Sequence, residues 1–189
     1  MTYFVIPITK RDRTPLDTLA LASVAPYYHS MKKDGILEHS FFDGSAQTLE
    51  QFWNIVFNDH VTFTFIFYKD KQEDDMDMVG HMYFTGYYGY CATIHFGLLR
   101  KYHSRALEIG NECMDVISKV KRSDGTPFVT SLIGLTPVNN IAAIRVAKAL
   151  NFEPLATLHK ACHLFYENKF VDGLFTRRTF NELVEQVKR

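Results

Sequence analysis

The chain has 189 residues, with Lys+Arg and Asp+Glu balanced at 21 each, so no net field draws it to nucleic acid or to an anionic membrane. Its 47% hydrophobic and 14% aromatic content is ample for the core of one domain. Cys91, Cys113 and Cys162 form no C-x-x-C and no even-numbered framework, which points to reduced thiols in a cytoplasmic setting. The apolar run at the N-terminus is too short for a signal peptide, and no stretch reaches the length of a membrane span.

In chain order, residues 3 to 8 read as a strand. Pro15 opens a helix to about Met31, and residues 32–46 are loop-like, with Asp-Gly turn signals. From Gln47 to Asn58, Leu49, Phe52, Trp53 and Val56 recur at helical spacing. The stretch VTFTFIFYK alternates Val61, Phe63, Phe65 and Phe67 against Thr62 and Thr64, a strand with one apolar and one polar side. KDKQEDDMD reads as a solvated hairpin tip, whose Glu73, Asp74, Asp75 and Asp77 also have the charge to attract a cationic molecule. MVGHMYF and YYGYCATIHFGLL give two more strands that turn near Thr85-Gly86.

Ser104 reads as the N-cap of a helix that repeats Ile109, Cys113, Val116 and Val120. FVTSLIGL is a buried-looking strand. TPVNNIAAIRVAKALNF is a turn, a helix capped by Asn140, and an abrupt stop at Asn151, where a left-handed residue closes the last turn. FEPLATLHKACHLFYE suggests a strand pair, and FNELVEQVKR a closing helix. After residue 60 the order is βββ, α, β, α, ββ. This predicts an α+β fold with a mixed, mostly antiparallel sheet, in which the strand before Arg100 runs parallel to the strand at 128–135. The chain is expected to be one domain over 1–189: a strand and helices in 1–59, a core sheet in 60–178 and a terminal helix in 179–189.

The order of elements, and Asn140-x-x-Ala143 with Leu150-Asn151-Phe152 in particular, resembles the GNAT superfamily of acyl-CoA-dependent N-acetyltransferases. Asn151 stands where that family usually has Gly. The resemblance covers roughly residues 60 to 178 and implies helices on both faces of the sheet, with the N-terminal helices walling the acceptor pocket. Tyr27, Tyr28, His29, Phe41 and Phe42 are candidates for that wall. The resemblance also implies acetyl-CoA as cofactor and an amine as acceptor. The family's pyrophosphate loop maps onto Leu98, Leu99, Arg100, His103, Ser104, Arg105 and Ala106, with Asn140 and Ala143 bordering the cofactor. Here His103 and Arg105 replace the two loop glycines, and Ala147 stands where many members carry a tyrosine that protonates the leaving thiolate.

Amine acylation needs a base, a polarised carbonyl and a proton for the thiol. Backbone N–H groups of Phe96 to Leu99 are the implied polarising donors. His95 is the candidate base and His81 a second one; the competing account of each is a core histidine satisfied by its neighbours. Tyr166 is the candidate substitute acid, against a plain aromatic packing role. No G-x-G-x-x-G, P-loop or H-E-x-x-H pattern points to another cofactor or a metal.

The layout, with Arg100-Lys101-Tyr102-His103-Ser104 in place of the Gly-rich loop and Leu135-x-Pro137-x-Asn139-Asn140 before the helix, also resembles GNAT-like proteins of tailed bacteriophages. That resemblance implies a second reading: a catalytically weak virion or head-assembly protein, in host cytoplasm or virion, with phage structural proteins as partners. A third reading is a phage factor that modifies or blocks a host protein.

Overall fold

The computed structural model describes residues 2–7, 15–69 and 76–187. Seven strands form one mixed sheet in the order β1-β2-β3-β4-β5-β7-β6. These are β1 (Thr2–Pro7), β2 (Thr62–Lys69), β3 (Met76–Tyr88), β4 (Cys91–Leu98), β5 (Ser131–Pro137), β6 (Glu153–Leu164) and β7 (Lys169–Thr179). β1 with β2, β2 with β3 and β5 with β7 are antiparallel, and β4 with β5 is parallel, as expected. That ladder covers only Cys91–Thr93 against Ser131–Ile133, so the remaining residues of β4 are not committed to it. The helices are α1 (Pro15–Asp34), α2 (Leu37–Ser40), α3 (Leu49–Val56), α4 (Ala106–Lys119), α5 (Ile141–Ala149) and α6 (Asn181–Val187).

The chain forms two compact units. The first comprises Met1–Phe84, His95–Ser104 and Leu164–Lys169. Its core is aromatic. Val24, Tyr27, Tyr28 and Met31 form the buried stripe of α1, spaced as one helical face requires. Thr48 caps α3 in a full capping box with Gln51, and Phe52 and Val56 turn inward. On β2, Phe63, Phe65 and Phe67 are buried, but so are Thr64 and Ile66. The strand is therefore covered on both faces, not half-solvated as its alternation suggests. Thr64 tolerates burial because its hydroxyl donates to the Met82 carbonyl at 2.7 Å.

The second unit comprises Thr85–Ile94, Arg105–His163 and Phe170–Arg189. Its helix α4 buries Ile109, Gly110, Cys113, Met114 and Ile117. Val120 lies outside the stripe as the C-cap and is exposed. A Cβ on Gly110 would stand 2.6 Å from Leu150 Cδ1, so this glycine is what admits Leu150 between α4 and α5. Asn140 caps α5 by accepting the Ala143 N–H at 3.1 Å, and Asn151 adopts φ 61°, the left-handed stop expected of it. Helix α5 itself has no buried residue.

Several boundaries differ from expectation. Part of the expected loop at 32–46 is helical, as the end of α1 and as α2. The hairpin between β3 and β4 turns at Gly89 (φ 63°), not at Thr85-Gly86. Ser104 is not the N-cap of α4: Arg100–Arg105 forms a 3-10 segment and Arg105 takes the cap position without a side-chain bond. A tighter first turn satisfies orphan N–H groups without a capping hydroxyl. The expected strand pair at 152–167 is one strand, β6, followed by a 3-10 turn at Phe165–Glu167, and its partner is β7. Of the acidic tip, Glu73, Asp74 and Asp75 lie outside the described residues, while Asp77 belongs to β3.

Replacing Asn140 with Ala should lower stability by about 1 kcal/mol, the worth of one N-cap bond. A shift of the urea midpoint at unchanged slope would measure it.

Candidate functional site

Three strands of the first unit build a layer of rings. Phe63 on β2 registers opposite Tyr83 on β3, and Phe65 opposite His81. Residues that face each other across strands sit about 5 Å apart, so flat side chains there lie parallel. Tyr83 is parallel to Phe63 (5.5 Å, 7°), to Phe41 (5.7 Å, 6°) and to His95 on β4 (4.2 Å, 2°). His81 lies between Phe41 and Phe63, 5.5 Å and 16° from each.

His81 is fully buried. The Tyr27 hydroxyl and His81 Nδ1 share a hydrogen bond of 2.7 Å, and Nε2 makes none among the described residues. Burial, with a smaller contribution from His95, pushes His81 down to about 3. His81 is thus a neutral core histidine tied to Tyr27. A Cβ on Gly97 would come within 2.5 Å of its Cε1, so β4 needs glycine at that point.

His95 is half-buried. Burial pushes it down to about 4, against an opposing pull from the Asp43 charge. Its imidazole is therefore neutral at pH 7. Tyr166 sits in the 3-10 turn at Phe165–Glu167, not on a strand, and is 40% exposed. Burial raises its phenol, and the charges of Glu38 and Asp43 raise it further, so it stays protonated. Asp43 also raises Tyr83, whose larger cause is burial.

The loop carrying Asp43 is pinned. The Phe165 N–H donates to the Phe42 carbonyl at 2.8 Å, the Phe165 ring covers Gly44, and Asp43 Oδ1 accepts the Ser45 N–H at 3.0 Å. His95, Tyr166 and Asp43 thus belong to one unit. Sequence reasoning missed Asp43 and Tyr83. The available signal was the placement of Tyr83 and His95 on successive strands. Of the proposed acceptor wall, Tyr27, Tyr28 and Phe41 are buried.

The expected pyrophosphate segment is held by side chains. Leu98 and Leu99 are buried, and the Leu99 N–H donates to the Val79 carbonyl at 2.9 Å. The Arg100 N–H reaches Asp34 Oδ2 at 3.2 Å. Asp77 accepts from Lys101 Nζ at 2.9 Å and from the Tyr102 hydroxyl at 2.7 Å, which holds its carboxyl below the usual range. His103 Nε2 bonds the Leu98 carbonyl at 3.1 Å. Ser104 is exposed and Ala106 half-buried. Arg105 is engaged bidentately by Glu108, at 3.0 and 2.9 Å.

A cavity of about 720 Å³ lies between α1 and this segment, lined in part by Ser23, Tyr27, Ser30, Lys33, Asp34 and Arg100. Arg100 therefore faces the end of α1, where a cation suits the helix carbonyls. Arg105, Ala106, Asn140 and Ala143 belong to the second unit. Among the described residues, no three His, Cys, Asp or Glu side chains come together as a metal set, and no helix is long and apolar enough to cross a membrane.

No protein-family profile matches the chain, and no curated protein sequence matches it. Solved structures do. An N-acetyltransferase from Staphylococcus aureus has a TM-score of 0.65 at 12% identity, over 96% of this chain and 99% of that one. The spermidine N-acetyltransferase from Vibrio cholerae, solved with CoA and spermine, has a TM-score of 0.68 at 8% identity, over 96% and 98%. A probable acetyltransferase from Staphylococcus epidermidis has 0.63 at 15%, over 94% and 99%. The architecture is thus that of the GNAT acetyltransferases.

The two low histidines predict an acid-sensitive fold. Each is neutral when folded but titrates near 6.5 when unfolded, so the unfolded chain binds the extra protons. Stability is complete above about pH 6.5 and falls as pH drops towards 4, by at most about 1.4 kcal/mol per unit for each histidine. Urea midpoints between pH 7 and 4.5 would show this. The Tyr27→Phe variant should lose about 1–3 kcal/mol by orphaning His81, whereas Tyr27→Phe with His81→Phe should recover most of it.

Proposed function

We propose that the chain is an acyl-CoA-dependent N-acetyltransferase that moves an acetyl group from acetyl-CoA to an amine. The observation that carries this reading is His95: a neutral imidazole, stacked on Tyr83, placed on β4 of a GNAT sheet. His95 takes a proton from the acceptor. The backbone of β4 beyond its ladder with β5 supplies N–H donors for the thioester carbonyl; Leu99 is not among them, because Val79 holds its N–H. Tyr166, kept protonated, supplies the proton for the departing sulfur. The Vibrio cholerae structure solved with CoA and spermine supports the cofactor and the amine class. We place the protein in the cytoplasm, consistent with its free cysteines.

The residues present fit a diphosphate. The Arg105–Glu108 pair lies near the surface at i,i+3 spacing, an arrangement worth little in water. Phosphate can therefore replace Glu108 as the partner of Arg105. Ala106 begins α4, Asn140 caps α5 and Ala143 lies in its first turn; we assign these helix starts to the border of the cofactor. Acetyl-CoA supplies the activated acyl group; everything else in the reaction is positioning and proton transfer by this chain.

A second reading is favoured by the spent donors of the loop, the N–H groups of Leu99 and Arg100. There the fold is a scaffold with little catalysis, as in the phage-like layout of the loop. Calorimetric titration with acetyl-CoA separates the two. The first reading expects saturable micromolar binding, weakened at least about tenfold by Arg105→Glu. Absence of both heat and thermal shift at millimolar acetyl-CoA would leave the scaffold.

A further inference from the structure

The cavity of about 720 Å³ beside α1 has no part in the chemistry proposed above. Its lining comes from α1, from the start of β3 and from Leu99–Lys101, all within the first unit. Neither the proton-transfer residues His95 and Tyr166 nor the residues assigned to the cofactor, Arg105, Ala106, Asn140 and Ala143, belong to that lining. The volume suits a small organic molecule.

Charge decides which molecule fits. Lys33, Arg100 and Lys101 line the cavity against two carboxylates, Asp34 and Asp77. Both carboxylates are occupied within the protein. Asp77 accepts from Lys101 Nζ at 2.9 Å and from the Tyr102 hydroxyl at 2.7 Å, so the Lys101 charge is matched as well. Asp34 Oδ2 accepts the Arg100 backbone N–H at 3.2 Å, which fastens the segment to the end of α1 through its backbone and not through the guanidinium. A Cβ on Gly35 would stand 3.8 Å from Arg100 Nη2, so the guanidinium lies at that same helix end, close in sequence to Lys33. Among the described residues, neither the Arg100 guanidinium nor Lys33 Nζ has a hydrogen-bond or ion-pair partner. Both side chains are exposed, so a ligand can reach them from solvent.

Two further features fit an anion with an apolar body. The carbonyl end of a helix repels negative charge, but here two of those carbonyls are already used. The Ile36 N–H donates to the Met31 carbonyl at 2.9 Å and the Gly35 N–H to the Lys32 carbonyl at 3.2 Å, a closing turn that Gly35 permits at φ 68°. The wall away from the charges includes Pro26, Met78 and Leu99, with the Ser30 hydroxyl as a further donor.

We propose that this cavity binds a small phosphate monoester, its phosphate held by Lys33 and Arg100 and its compact apolar body resting on Pro26, Met78 and Leu99. A guanidinium meets phosphate oxygens in pairs, and an ammonium adds a point charge. Two uncommitted cations facing one cavity suit a dianion better than a carboxylate. The site stands apart from the acetyltransferase reading and does not depend on it.

Phenyl phosphate is the probe, titrated into the full chain carrying methyl-labelled methionine. Calorimetry should show saturable binding with a Kd at or below about 1 mM. The Met78 methyl should shift with the same midpoint, while that of Met114 on α4 stays in place. Phenol, which lacks the charge, should bind at least about tenfold more weakly, and benzoate, a monoanion, at least about threefold. Lys33→Glu and Arg100→Glu should each weaken phenyl phosphate at least about tenfold, whereas Lys32→Glu, outside the lining, should change it less than about twofold.

No saturation by about 10 mM, equal weakening by Lys32→Glu, benzoate binding as tightly as phenyl phosphate, or heat without a Met78 shift would overturn the proposal. So would displacement of phenyl phosphate by CoA, which would make the cavity part of the cofactor site. Ser30→Phe fills the cavity without changing its charge and should abolish the Met78 shift. A shift that persists in Ser30→Phe would overturn the proposal even if the charge-reversed variants fail to fold.

Discussion

A buried imidazole among parallel aromatic rings is the constraint on which the first unit turns. His81 sits between Phe41 and Phe63 with no exposure. A charged histidine there would need a partner that the rings cannot offer. The core therefore holds it neutral and ties one nitrogen to Tyr27, the buried end of α1's apolar stripe. That bond couples the seat of α1 to the register of β3, and the register sets Tyr83 two residues on. Tyr83 then carries His95 at 4.2 Å. The same packing that stabilises the unit keeps His95 unprotonated.

The second constraint lies in the segment from Leu98 to Arg105. In the GNAT pattern that the loop resembles, glycine lets the backbone come close to a diphosphate. This chain fixes the segment with carboxylates instead: Asp34 on the Arg100 N–H, Asp77 on Lys101 and Tyr102, and Glu108 on Arg105. Such a segment brings cations of its own, but the N–H groups of Leu99 and Arg100 are already engaged. The Arg105–Glu108 pair lies near the surface, where an ion pair contributes little.

Much of the fold was legible in the residues. The two-residue and 3.6-residue periods marked most strands and helices, and the parallel neighbour of β4 followed from the single crossover helix between them. Asn140 and Asn151 announced the ends of α5 through cap chemistry that acts over three residues. Less was legible where a neighbour distant in sequence decides the outcome. Thr64 reads as solvent-facing, yet it is buried because Met82 offers a carbonyl. Ser104 reads as a cap, yet the 3-10 segment before α4 removes the need for one. Tyr166 was read onto a strand that ends at Leu164.

The sequence by itself determined the order of elements, the caps, the absence of a Gly-rich phosphate loop and the presence of His95 on the strand before Arg100. These are properties of local hydrogen bonding and periodicity, which act within a few residues. Only the tertiary structure decided which histidine is sealed in the core and which keeps an edge, that Arg105 is already paired, and that Asp43 stands where its charge reaches His95. Charge and burial act through space over several ångströms. Asp43 and His95 are 52 positions apart in the chain, and nothing in that spacing records that the charge of one acts on the other.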